Sequence, residues 1–196
     1  MKRRDFIIKS GLSSSIFSIV PSSVLGFKGV SPNNKIQIGF IGAGRQGRGL
    51  MKNFAEYNEC EIIAVSDVDS KKVDFFAEEF ENKILKDNKK KIYIKKNQFY
   101  RDMLQSSSID AVVIATPDHW HAQMSVDSAK HGKDIYCEKP LSNTISEGRA
   151  MVNSARKYKV VYQTGSMQRS WKHFRHAAEL IQNGYIGEIK EVNVAI

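Results

Sequence analysis

The stretch Lys35-Ile36-Gln37-Ile38-Gly39-Phe40-Ile41-Gly42-Ala43-Gly44-Arg45-Gln46-Gly47 decides the fold of this chain. Its first half is a short, largely apolar run ending at glycine, the pattern of a strand buried on both faces of a parallel sheet. Its second half is a GxGxxG turn, and a helical run follows from Arg45 to about Tyr57. Glycines are common, so the spacing alone is weak. The setting carries the weight. The turn joins a strand to a helix, and Asp67 closes the next apolar run, residues 61–66, 20 residues after Gly47. In such a unit Gly42 permits the tight turn, Gly44 lets a pyrophosphate approach the backbone, and Gly47 lets helix and strand pack closely. Arg45 and Gln46 complete the loop. The helix N-terminus offers N–H groups and a partial positive charge to phosphates. The Asp67 carboxylate can accept hydrogen bonds from an adenosine ribose and would repel a 2′-phosphate. The reading is a dinucleotide site that favours NAD, with Lys71 and Lys72 keeping NADP open. The plain alternative is a glycine-rich turn that holds no nucleotide.

Outward from this unit, strands and helices alternate. Strands are predicted at residues 92–94, 111–115, 134–137 and 160–163, and helices at 71–81, 100–104, 121–131 and 146–158. Such alternation specifies a parallel sheet with right-handed crossovers. The fold class is therefore α/β, a Rossmann-type doubly wound sheet over residues 35–164. Residues 174–183 form a further predicted helix. Residues 187–196 alternate apolar and polar, as a strand with one buried and one exposed face does. The expectation is that 165–196 begin an α+β substrate domain, truncated at Ile196, in a fragment of a longer protein.

Hydrophobic residues make up 41% of the chain, too many for a disordered one. The net charge is +9, and Lys2, Arg3, Arg4 and Lys9 against Asp5 supply three of those charges. This basic start precedes an apolar, serine-rich stretch, residues 12–25, whose 14 residues fall short of the ~20 that span a bilayer. Val24-Leu25-Gly26 is a loose cleavage site, so residues 1–26 read as an export signal. Arg3-Arg4-Asp5-Phe6-Ile7-Ile8-Lys9 resembles the twin-arginine signal, with its lysine one place late. That resemblance implies export of an already folded protein to the periplasm. The alternative is a basic helix that anchors the chain at the membrane. Seven lysines fall between Lys83 and Lys96 without any nucleic-acid module, and read as a solvated loop. Cys60 and Cys137 lie at opposite ends of the predicted sheet, too far apart for a disulfide.

Three further segments follow strands four, five and six: Thr116-Pro117-Asp118-His119-Trp120-His121, Glu138-Lys139-Pro140 and Gly165-Ser166-Met167-Gln168-Arg169. Parallel strands open all three on one edge, where ligands bind in open α/β sheets. With these residues the chain resembles the Gfo/Idh/MocA family, named for glucose–fructose oxidoreductase and inositol dehydrogenase, over about residues 35–196. The Glu-Lys-Pro triplet with the upstream Thr-Pro-x-x-x-His is the most specific feature. The resemblance implies that Thr116, Pro117 and His121 line the nicotinamide half of the site and that Glu138 bonds the nicotinamide ribose. It implies that Lys139 sits beside the substrate carbon and its hydroxyl, that a cis peptide precedes Pro140, and that Arg169 reaches substrate. Lys139 and His121 are the catalytic candidates, although His121 could instead cap or pack its helix. His119 reads as structural or exposed and Trp120 as packing. His173 and His176 lack a third ligand, so no metal site is expected.

The first chemical expectation is hydride transfer between a nicotinamide cofactor and a sugar or polyol, with Lys139, its pKa lowered by partial burial, as base or relay. A second is a redox-neutral, NAD-dependent glycoside hydrolase, outside the two-carboxylate scheme. A third is a non-catalytic nucleotide-binding fragment. The expected partners are a small sugar or polyol, no nucleic acid, the membrane only in transit, and other copies of the full-length chain in a homo-oligomer.

Overall fold

Ile36–Ile41 (β1) turns Ile38 and Phe40 toward one face and Gly39 and Ile41 toward the other, and both faces are buried. That two-sided burial places it at the centre of a six-stranded sheet. β2 (Cys60–Ser66) and β3 (Lys95–Asn97) extend it on one side; β4 (Ala111–Ile114), β5 (Asp134–Glu138) and β6 (Tyr162–Gly165) extend it on the other. The order is β3-β2-β1-β4-β5-β6 and every pair is parallel. This is the doubly wound sheet the alternation predicts, with the strand order reversing between β1 and β4. The computed structural model describes residues 34–85 and 93–194, of which 36–194 belong to one compact unit. The leader and residues 86–92 of the lysine-rich stretch lie outside the described residues.

Helices cover the two faces with separate cores. On one face α1 (Arg45–Phe54) and α2 (Ser70–Leu85) bring Leu50, Met51, Val73, Phe76 and Phe80 onto Ile38, Phe40, Ile62, Val65 and Val113. On the other, α3 (Tyr100–Leu104) and α4 (Asp118–Lys130) bring Tyr100, Met103, Leu104, Met124 and Ala129 onto Ile41, Val112, Ile114, Ile135 and Cys137. Each fully buried Val, Leu, Ile, Phe or Met among them stabilises by roughly 1.5–3 kcal/mol. The result is a rigid platform whose strand ends are fixed. α5 (Ile145–Tyr158) packs on α4 and opens with a capping box between Thr144 and Glu147. α6 (Lys172–Gln182) is exposed apart from the half-buried Leu180.

Several predicted boundaries move. The third strand is Lys95–Asn97 rather than 92–94, because pairing with Ala64–Ser66 of β2 sets its place, not apolar content. As an edge strand it tolerates lysines: Lys96 pairs with Asp74 at 2.7 Å, and Ile94 just before it fills the core. The sixth strand begins at Tyr162 rather than 160, because Val160 and Val161 first tie the end of α5 to the sheet through Ala155 and Asp134. α4 starts at Asp118, three residues before the predicted start, so His121 lies inside its first turn. Residues 187–194 form no strand: no described strand pairs with them, and Ile189, Val192 and Val194 are exposed. Cys60 opens β2 and Cys137 lies near the far end of β5, and both are thiols.

Candidate cofactor and active site

The glycine-rich turn is built by close approach. Gly42 has φ +101°, a region that disfavours side chains, and a Cβ there would lie 2.5 Å from the Ala115 carbonyl oxygen. A Cβ on Gly47 would lie 2.1 Å from the Gly42 carbonyl oxygen. These two glycines let α1 start directly against β1 and β4. Gly44 differs: a Cβ there meets nothing within 4 Å. Gly44 is also the N-cap of α1, with no side-chain cap and no acid in the first turn. With the space at Gly44 open and no acid in the first turn, the start of α1 offers the setting in which helix termini hold phosphates.

Asp67, beyond the end of β2, reaches this turn. Its Oδ2 accepts the Ala43 N–H at 2.9 Å and its Oδ1 accepts the Asp69 N–H at 3.0 Å. The carboxylate thus holds the loop as well as facing outward, a task the motif spacing did not reveal. Beside it Arg45, Arg48, Lys71, Lys72 and Phe75 line a cleft with Ala43 and Gly44. Arg48 stacks on the Phe75 ring at 4.4 Å and Lys72 pairs with Asp69 at 3.7 Å.

On the other side of β1, register aligns Ile41 with Ile114, Ile114 with Cys137, and Glu138 with Gly165. The loops after β4, β5 and β6 therefore open on the same edge as the glycine-rich turn. Glu138 is 4% exposed; its Oε1 accepts from Gln46 Nε2 at 2.9 Å and its Oε2 from the Lys139 N–H at 3.2 Å. Gln46 of the turn and Glu138 of the β5 loop, 92 positions apart, are thus bonded directly. Gly165 permits this placement, since a Cβ there would lie 2.9 Å from Glu138 Cα.

The Lys139–Pro140 peptide is cis, as the family resemblance implies. The Lys139 side chain is exposed rather than partly buried as the sequence reading expected, because no described element covers the β5 loop. Thr116 lies at the head of the β4 loop and its hydroxyl bonds Met124 Sδ at 3.4 Å; Pro117 is exposed and is the N-cap of α4. Arg169 sits in a 3-10 turn, Met167–Ser170, and lines an open cleft with Phe54, Tyr136, Gln163 and Trp171. Lys139 is not part of that lining.

His121, a catalytic candidate on the sequence reading, takes the place of its alternative, a histidine that packs its helix against the loops. It is 1% exposed, and both ring nitrogens face main-chain carbonyls: Nδ1 lies 2.6 Å from Pro140 O and Nε2 2.9 Å from Thr116 O. No ring nitrogen is left for a substrate. Burial pulls the imidazole down, but the Cys137 thiol and the Pro140 and Thr116 carbonyls outweigh it, and the ring is pushed up to about 9. Behind it, burial and Cys137 raise the Tyr162 hydroxyl, which bonds Ser125 at 2.9 Å. Sequence reasoning missed this group. The signal was available: His121 and Ser125 are spaced i, i+4 on α4, and Cys137 directly precedes Glu138.

Residues 36–166 match the model of the Gfo/Idh/MocA family, an oxidoreductase family with an NAD-binding Rossmann fold. The chain belongs to this family. Among its relatives, an uncharacterised oxidoreductase of Bacillus subtilis, YrbE, is 31% identical over 153 residues, 78% of this chain and 42% of that protein. A glycosyl hydrolase family 109 protein of Shewanella woodyi is 35% identical over 138 residues, 68% of this chain and 28% of that protein. The structure of scyllo-inositol dehydrogenase from Lactobacillus casei, with NAD(H) and scyllo-inositol, superposes with a TM-score of 0.67 at 26% identity, covering 79% of this chain and 43% of that one. The chain thus spans less than half the length of these relatives. The family fixes the cofactor class as that of an NAD-binding Rossmann fold, and the open N-terminus of α1 fits it.

Proposed function

We propose that this chain is the cofactor-binding part of an NAD(H)-dependent oxidoreductase acting on a carbinol carbon of a sugar or polyol. The observation that carries this is the Gln46–Glu138–Lys139 connection, which joins the phosphate-binding turn to Lys139 at the head of the β5 loop. Bound nicotinamide would supply the hydride acceptor or donor; the protein supplies placement and electrostatics. Gly44 and the first turn of α1 receive the pyrophosphate. Asp67 keeps spare lone pairs for the adenosine ribose, and Glu138 for the second ribose. Thr116 and Pro117 border the nicotinamide end. Lys139 takes the hydroxyl proton when substrate and a second domain cover it; Arg169, whose cleft does not include Lys139, reaches only a part of the substrate remote from the reacting carbon. The inositol dehydrogenase likeness supports the polyol class. Residues 1–26 serve export, 165–196 begin the substrate domain, and the full-length protein forms homo-oligomers.

The test is Lys139→Ala in the full-length protein. Turnover falls ~10²–10⁴-fold, the span of a general acid–base, while NAD affinity stays within about twofold. A variant that turns over at the parent rate moves the chemistry elsewhere. The glycosyl hydrolase family 109 relatives favour a second reading, redox-neutral cleavage of a glycoside. Release of the aglycone from an aryl glycoside with no net change in NADH absorbance would select it.

A further inference from the structure

We infer that His121 is a positioning residue: a doubly protonated clamp whose two N–H groups tie the β4 loop to the β5 loop and so fix Lys139 at the nicotinamide end of the site. The inference rests on the function proposed above for what Lys139 does, but the clamp itself rests on geometry. A neutral imidazole has one N–H and one lone pair. Here two carbonyl oxygens face the two ring nitrogens, at 2.6 and 2.9 Å, in a side chain that is 1% exposed. Neither neutral tautomer satisfies both. In either one a nitrogen lone pair would face a carbonyl lone pair across less than a van der Waals contact, without water to relieve it. The imidazolium donates to both.

What it holds is specific. Thr116 O belongs to the turn that enters α4, and Pro140 O lies next to the Lys139–Pro140 peptide. On its other side Lys139 is held by its own N–H to Glu138 Oε2, and Glu138 by Gln46. The lysine backbone is therefore pinned from the phosphate-binding turn and from α4 at once. The titratable group against the ring is Cys137 of β5, with Tyr162 of β6 behind it; Asp118 and His119, the neighbours on α4, are exposed. With the ring raised to about 9, the clamp is closed at neutral pH and opens as its second proton leaves.

Two measurements test it. In the 15N-histidine-labelled chain at pH 7, the His121 ring shows two N–H protons, assigned by their loss in His121→Gln, and one disappears near pH 9. A single ring N–H at pH 7 overturns the clamp. The second compares NADH with ADP-ribose, which lacks the nicotinamide. The protonated fraction falls from about nine-tenths at pH 8 to about one-tenth at pH 10, so the β4 loop that carries Thr116 and Pro117 to the nicotinamide loses its tie, and NADH binding weakens roughly tenfold while ADP-ribose binding holds. His121→Gln binds NADH weakly at pH 8 with no further loss at pH 10. In Cys137→Ser the pH-dependent loss persists with a lower midpoint; a flat profile there assigns the titration to the thiol and overturns the inference. Equal losses for NADH and ADP-ribose also overturn it. Should neither nucleotide bind, the proposed function falls, and the ring spectrum alone decides the clamp.

Discussion

Gly44 and Gly47 sit three residues apart in one motif, and the structure assigns them opposite failures. A Cβ on Gly47 strikes the Gly42 carbonyl oxygen at 2.1 Å, and that obstacle is backbone. Gly47→Ala must therefore push α1 away from the turn. Overpacking of this kind costs ~1–3 kcal/mol, and an immovable partner places the cost near the upper end. In a domain of this size each kcal/mol shifts Tm by ~2–4 °C, so a fall of ~6–12 °C is expected. A Cβ on Gly44 meets nothing within 4 Å, and its φ of −70° suits any residue. Gly44→Val loses a favourable N-cap residue but gains from a stiffer unfolded chain, two effects of up to ~1 kcal/mol and opposite sign. Its Tm should move by no more than ~4 °C. Its isopropyl group, however, occupies the space over the first turn of α1. NAD affinity should drop about a hundredfold or more, ~2.7 kcal/mol. Thermal unfolding and titration calorimetry on both variants separate the effects. Gly44→Val binding NAD within twofold of the parent, or Gly47→Ala melting with the parent, would refute the reasoning.

Three further outcomes are expected. His121 rises from an ordinary 6.5 to about 9 on folding, so it contributes up to about 3 kcal/mol that is fully present below pH 6.5 and lost as pH rises through 9; urea unfolding across pH 6–10 should show this slope in the parent and not in His121→Gln. Asp67→Ala leaves the Ala43 N–H unpaired, so both cofactors bind less well, but NAD loses its ribose acceptor as well and the NAD-to-NADP affinity ratio falls; an unchanged ratio by calorimetry would remove Asp67 from the specificity determinants. If the full-length protein is exported away from a soluble cofactor pool, it retains its nucleotide. Protein purified after extensive dialysis and then denatured should release near-stoichiometric NAD(H), and protein that emerges empty counts against that reading.

Local signals in the chain read well where backbone sterics decide. The turn Gly42–Gly47 and the strands on either side of it follow from periodicity and from three glycines. α3, Tyr100–Leu104, falls where the pattern placed it. The capping box of Thr144 and Glu147 starts α5 at Ile145, one residue ahead of the predicted 146. Boundaries failed where a distant partner decides. β3 is fixed by the end of β2 and β6 by Ile135–Glu138, and neither partner is visible in a local apolar count. Residues 187–194 show the limit of pattern: alternation describes a strand's faces but does not supply the neighbour that completes its ladder.

The site residues divide along the same line. Gly44 could be read from its position alone, because its task is to leave space. Asp67, Glu138 and His121 were chosen for what they would offer a ligand, yet each is also bonded to a loop from another strand: Asp67 to Ala43, Glu138 to Gln46, His121 to Thr116 and Pro140. A sheet whose strand order reverses at β1 brings these loops side by side, and the loops then need polar partners for backbone groups that no strand or helix satisfies. The residues that could bind a cofactor are the nearest partners available. Asp67 and Glu138 therefore serve the protein first and retain spare lone pairs for hydroxyls, whereas His121 spends both nitrogens and has none left. That difference in remaining hydrogen-bond capacity separates the two carboxylates, which can still receive a ligand, from the histidine, which can only hold the loops that do.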